Sequence, residues 1–247
     1  MSPRPWRTLR HVAALLVLTP ALAAAQYRQP PAPIAQILDQ PATPLVQLSP
    51  DRTQLLLLER PGLPPINEVA AFEYRLAGLR FDPRTSGPSR GQSYSSLSLQ
   101  PVQGGAARPI AANLPAGAGI GNVSWSTDGQ RIAFTVTTDD AITLWVAELA
   151  TAKAAPVTPR RLAAVLGTPC SWVAATRLAC TFVPETRGAA PAPSATPDGP
   201  VIQEALTGSA DRAATYQDLL KSPFDEAVFE HFATSQVALV SLDGTIS

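Results

Sequence analysis

The stretch Asn122 to Leu149, NVSWSTDGQRIAFTVTTDDAITLWVAEL, limits the possible folds more than any other part of the sequence. Apolar residues fall on alternate positions: Val123 and Trp125, then Ile132, Phe134 and Val136, then Ile142, Leu144 and Val146. A period of two belongs to a strand, whose successive side chains leave opposite faces. The first joint, Ser126 to Gln130, contains Asp128-Gly129, a pair that readily turns a hairpin, and the second is the polar run Thr137 to Asp140. A three-stranded meander is expected. With a fourth strand beginning at Arg161 and Leu162, the unit Asn122 to Leu162 holds 41 residues, within the roughly 40–45 of a four-stranded propeller blade.

A second copy of the pattern precedes it. Leu48 to Glu59, LSPDRTQLLLLE, aligns without gaps to WSTDGQRIAFTV, setting Leu48 on Trp125, Ser49 on Ser126, Asp51 on Asp128, Leu55 on Ile132 and Leu57 on Phe134. The shared content is a strand end, a polar turn in which Ser and Asp bond their own backbone, and a return strand. The copies lie 77 residues apart, more than one blade, so an insertion is expected between them. Arg60 to Tyr74 suits it, a loop with a helical turn around Glu68 to Phe72, followed by a strand and turn in LAGLRFDPRTSG. Tyr94 to Leu99 reads as a strand, and Gly104-Gly105 as a turn before Arg108 to Ala111. A third unit starts at Cys170 to Val173 and returns through Arg177 to Phe182, with Trp172 standing 47 residues after Trp125.

The return of that third unit is interrupted by Pro184 to Pro200, rich in Pro and poor in apolar residues, which reads as a long surface loop. Thr215 to Lys221, TYQDLLK, has helical spacing at Tyr216, Leu219 and Leu220. Ser222-Pro223 suits the cap and first position of a second helix carrying Phe224, Val228, Phe229 and Phe232. A strand from Val237 to Leu242 runs into the turn Asp243-Gly244, close to Ser247. About three blades are counted where closed propellers have typically four to eight, so a truncated chain is expected.

Composition adds bounds. With 45% hydrophobic and 15% charged residues the chain can bury a core. Nineteen basic residues offset nineteen acidic ones, leaving no global field for nucleic acid or an anionic membrane. The 26 prolines suit loops between strands better than long helices. Residues 1–25 are a separate element. Arg4, Arg7 and Arg10 form a positive head, Val12 to Leu18 an apolar run, and Ala23 to Ala25 a small-residue exit, the pattern of a secretory signal peptide. A membrane anchor is the other reading, but the run falls short of the ~20 apolar residues of a spanning helix. The mature domain is then residues 26–247, exported, with no membrane contact after cleavage.

In an exported chain the two cysteines draw notice. Cys170 and Cys180 flank SWVAATRLA, and a hairpin centred on Ala175 sets them opposite each other on the face of Trp172 and Leu178. The alternatives are a disulfide and a pair of buried thiols. No metal site is expected: the histidines are His11 and His231, and neither stands at a zinc spacing from the cysteines. No cofactor is implied.

The segments LSPDRTQLLLLERPGLPPI, LRFDPRTSGPSRG, WSTDGQRIAFTV with LWVAEL, and above all Pro197 to Gly244 resemble the N-terminal part of the glutamyl endopeptidase branch of the prolyl oligopeptidase family of serine peptidases. The resemblance runs from about Pro31 to Ser247, and its most specific piece is Thr215 to Lys221 with Asp225-Glu226, Phe229 and Ser235-Gln236. It implies a β-propeller ahead of an α/β-hydrolase domain, with the propeller restricting which peptides enter. It also implies that the catalytic serine, aspartate and histidine lie beyond Ser247, so no catalytic residue is assigned here. A free-standing propeller that binds a protein or ligand is the rival reading.

One motif competes. Gly87-Pro88-Ser89-Arg90-Gly91 fits the G-x-S-x-G of a nucleophile elbow, and Asp128 and His231 follow in hydrolase order. An elbow needs a buried strand before the serine and a helix after it. Phe81 to Ser86 and Gly91 to Tyr94 supply neither. The acidic pairs Asp139-Asp140 and Asp225-Glu226 fall in a turn and in a helix's first turn, where structure explains them.

Overall fold

Why the chain turns where it does is plainest at Ser49 and Ser126. The computed structural model describes residues 30–64, 66–193 and 217–247; the expected signal peptide lies outside them. In both turns the serine hydroxyl donates to the aspartate two residues on, Asp51 Oδ1 or Asp128 Oδ1, at 2.6 Å. The same hydroxyl accepts the amide five residues on, Gln54 or Arg131, at 2.9 Å. Aspartate Oδ1 then takes the amide of Thr53 or Gln130 at 3.1 Å. The fourth residue is left-handed in each, Arg52 at φ 60° and Gly129 at φ 69°. The internal repeat is therefore a repeat of hydrogen bonds, with the left-handed position taken by glycine in one copy and by arginine in the other.

The chain divides into two units, residues 1–40 and 41–247. The first holds helix α1, Ala32–Leu38, which buries none of its residues. The second is mainly β. Its first sheet contains β1 (Leu45–Leu48) and β2 (Gln54–Glu59). An insertion follows: helix α2 (Ile66–Val69) and the small sheet β3 (Tyr74–Leu76), β4 (Leu79–Asp82) and β5 (Gly87–Pro88). The chain then returns to the first sheet with β6 (Ser96–Pro101) and β7 (Arg108–Pro109), giving the order β1-β2-β6-β7. The second sheet is an uninterrupted meander of β8 (Gly119–Trp125), β9 (Arg131–Thr137), β10 (Ile142–Glu148) and β11 (Lys153–Pro156). The third has β12 (Cys170–Ala174), β13 (Arg177–Phe182) and β14 (Gln236–Ser241), with helix α3 (Pro223–Ala233) inserted before β14. All pairings within sheets are antiparallel.

The sheets stack in series. Ile132, Phe134 and Val136 of β9 join Trp145 and Ala147 of β10 in a cluster with Leu56, Leu58, Leu97 and Leu99 of the first sheet. The opposite face, with Ala133, Ile142, Leu144 and Val146, packs on Leu178, Cys180, Phe182 and Val240 of the third. The second sheet is thus buried on both sides, which is why β10 carries apolar residues on both faces, Leu144 and Val146 on one and Trp145 and Ala147 on the other. Trp125 packs on the side of the preceding sheet and Trp172 does the same one sheet later. Two four-stranded and one three-stranded antiparallel sheet, packed face to face in sequence order, form a partial, propeller-like array.

Four expectations need correction. The second sheet's fourth strand is Lys153–Pro156, pairing with Trp145 to Glu148; Leu162 instead bridges Phe182 in the third sheet. The third unit has three strands rather than four, although Ile246 bridges Val240 at the start of a return. Within Thr215 to Lys221, residues 217–221 are not helical, and Asp218 sits at φ 58°; Thr215 and Tyr216 lie outside the described residues. The helical turn in the first insertion comes earlier, at Ile66–Val69.

Helix α3 forms as its sequence directs: Ser222 Oγ accepts the Asp225 amide at 3.2 Å, Pro223 opens the first turn, and Asp225 and Glu226 complement the N-terminal dipole. Its buried Val228 and Phe232 pack with Leu76, Phe81 and Val165. Both insertions leave their sheets between the second and third strands, so they meet at the same end of the stack. At that end the second sheet has only the tight turn Thr138 to Ala141, closed by Thr138 N–H on Ala141 O at 2.9 Å. Asp218 fastens the joint, its carbonyl accepting Gly78 N–H at 2.9 Å and its carboxylate Arg80 Nε at 3.1 Å.

Candidate functional site

The G-x-S-x-G pattern resolves into packing. A Cβ on Gly87 would lie 2.2 Å from Ile142 Cδ1, so glycine lets β5 lie close on the second sheet without displacing Ile142. Ser89 Oγ donates to Glu73 Oε2 at 2.5 Å. Glu73, 5% exposed, also faces Arg75 at 2.8 Å and Arg90 at 3.6 Å. The Ser89 hydrogen bond, with help from the two arginines, holds the Glu73 carboxyl below its ordinary range; a carboxylate so stabilised is a weak base. Among the described residues no hydrogen bond joins Ser89 to His231 or Asp128. The Asp128 carboxylate is engaged in its own turn and with Arg131. Among the described residues the one base that Ser89 Oγ meets is this weakly basic Glu73 carboxylate, which holds the hydroxyl rather than activating it.

The acidic pairs are local. Asp140 Oδ1 accepts Thr138 Oγ1 at 2.9 Å, and Asp225 Oδ2 accepts the Lys221 amide at 2.8 Å. Cys170 and Cys180 are directly paired across β12 and β13. The structure sets their sulfurs 2.10 Å apart, with Cα atoms at 4.2 Å, in the apolar layer that faces the second sheet.

Chemistry-bearing side chains do converge where the two insertions meet. A cleft of about 680 Å³ is lined by Arg84, Arg160, Arg161 and Arg187 together with Glu185 and His231. The first insertion supplies Arg84, the crossing from the second to the third sheet supplies Arg160 and Arg161, and the second insertion supplies the others. Asp82 neutralises Arg84 at 2.6 Å. Arg160 reaches Glu185 at 3.4 Å and Gln236 at 3.0 Å, and lies over the Phe182 ring. Arg161 donates to the Arg84 carbonyl. Arg187 donates to Ser86 Oγ at 3.0 Å and to the Thr234 carbonyl at 2.6 Å, while its Nε is buried with no acceptor. Burial, and then the nearby Arg161 charge, lower the Arg187 pKa from its ordinary value. His231 is lowered by burial first and Arg187 second. Sequence reading missed this cleft because its arginines come from three segments with no common motif.

No protein-family model matches the chain. Among curated proteins it is similar to a probable glutamyl endopeptidase, chloroplastic, of Oryza sativa subsp. japonica, 35% identical over 232 residues, covering 89% of this chain and 25% of that protein. A protein of the same description from Arabidopsis thaliana is 34% identical over 231 residues, covering 89% and 24%. The chain spans about a quarter of the length of the curated relatives it matches. Distant likenesses in solved structures include the putative TolB from Agrobacterium tumefaciens, with TM-score 0.36 and 12% identity over 81% of this chain and 43% of that one. Another is a variant of the AtxE2 isopeptidase with Astexin3-dC4 bound, with TM-score 0.39 and 15% identity over 84% and 29%. Over 89% of its length the chain is homologous to proteins named glutamyl endopeptidase, and the homologous stretch is a propeller-like array of sheets.

Proposed function

We propose that the chain is the non-catalytic, N-terminal propeller portion of an exported serine peptidase of the prolyl oligopeptidase type. It would act as scaffold and gate for peptides approaching a hydrolase domain encoded elsewhere in a longer protein. The homology carries this reading: 89% of this chain matches about a quarter of each glutamyl endopeptidase, leaving room in those proteins for a separate catalytic part. The engagement of Ser89 by Glu73 supports it from within the chain. Export rests on the composition of residues 1–25.

The test is an amidase assay of the purified chain on glutamyl peptide substrates. No turnover is expected. Reproducible turnover abolished by Ser89→Ala would contradict the proposal.

A further inference from the structure

The cleft between the insertions holds more positive charge than its packing accounts for. Arg84 and Arg160 face carboxylates. Arg161 and Arg187 pair with none among the described residues; their partners are carbonyls and a hydroxyl. Two such guanidiniums near each other, one of them partly buried, repel, and an anion between them relieves that repulsion. Holding the insertions together explains the bonds of Arg187 to Ser86 and Thr234. It does not explain Arg161, an exposed residue that lines the cleft and donates only to the Arg84 carbonyl among the described residues.

We propose that this cleft binds a carboxylate of an acidic peptide, with Arg161 and Arg187 as its guanidinium partners. A fork of N–H donors suits a planar carboxylate. At about 680 Å³ the cleft is larger than a lone inorganic anion needs, and Pro83, Pro159 and Phe232 give it apolar walls against which side-chain methylenes can lie. The choice of a peptide among anions rests on the peptidase reading above.

The experiment is fluorescence anisotropy at low salt, using the purified protein and fluorescein-labelled tetraglutamate amide against tetraglutamine amide. Tetraglutamate is expected to bind at least about ten-fold more tightly. Arg161→Gln should weaken it about five-fold or more at unchanged melting temperature, since that side chain bonds only one carbonyl. Arg187→Gln should weaken it further, but it also removes bonds between the insertions, so Arg161→Gln is the deciding variant. Equal binding of the two peptides, no binding of either, or indifference to Arg161→Gln would overturn the proposal, as would displacement of the peptide by equimolar inorganic phosphate. Such a failure would leave the amidase result standing and sink only the cleft's assignment.

Discussion

The first and second sheets share the core hydrogen bonds of a turn, yet among the described residues the second is covered on both faces and the first on one. Phe134 is 1% exposed, while Leu57, which the repeat sets on the same position, is half-buried. Val46 and Leu48 on that face of the first sheet are 52% and 48% exposed. A local repeat therefore fixes the hairpin, and the neighbours in the stack fix how much each hairpin contributes. The uncovered face of the first sheet keeps the apolar residues of a position that, one repeat later, is buried under a preceding sheet.

This difference can be broken most sharply by truncation. Phe134→Ala should cost about 3–5 kcal/mol, and Leu57→Ala only about 1, in urea unfolding. Equal losses would mean that both faces of the first sheet are covered. Next comes the third sheet, whose first hairpin lacks the Ser-Asp turn and has the cysteine pair instead. Thiol titration of the unreduced, denatured protein should find no free thiol, and Cys170→Ala with Cys180→Ala should cost about 2–3 kcal/mol for so short a loop. Gly87→Ala should cost about 1–3 kcal/mol, because the added methyl must displace Ile142 or the β5 backbone.

The smallest effect lies where the first two sheets agree. The hydroxyls of Ser49 and Ser126, the leading cause in each case, hold the Asp51 and Asp128 carboxyls below their ordinary value. A depressed carboxylate contributes stability above the unfolded value near 3.8 and loses it as pH falls through the folded one. Acid unfolding curves of Asp51→Asn and Asp128→Asn should each flatten below that pH, by similar amounts in the two sheets.

The blades were legible because their signals are local. Alternating apolar residues and the Ser-x-Asp turn act within a dozen residues, and the alignment of Leu48 with Trp125 survives into matching hydrogen bonds. Lys153–Pro156 escaped notice because an edge strand of KAAP has no apolar alternation to read. Leu162 misled because its burial serves the next sheet. TYQDLLK has helical spacing, but Asp218 sits at φ 58° and holds Gly78 and Arg80, contacts that a sequence pattern does not show. The arginine cleft was beyond reach, since Arg84, Arg161 and Arg187 meet only once both insertions fold over the second sheet.

Hydrogen exchange followed by mass spectrometry tests the serial stack most directly. Amides of Arg131–Thr137 and Ile142–Glu148 should exchange slowest and together, with those of Leu45–Leu48 much faster. Protection as strong in Leu45–Leu48 as in the second sheet, or fast exchange in Arg131–Thr137, would contradict a central sheet sealed by its two neighbours.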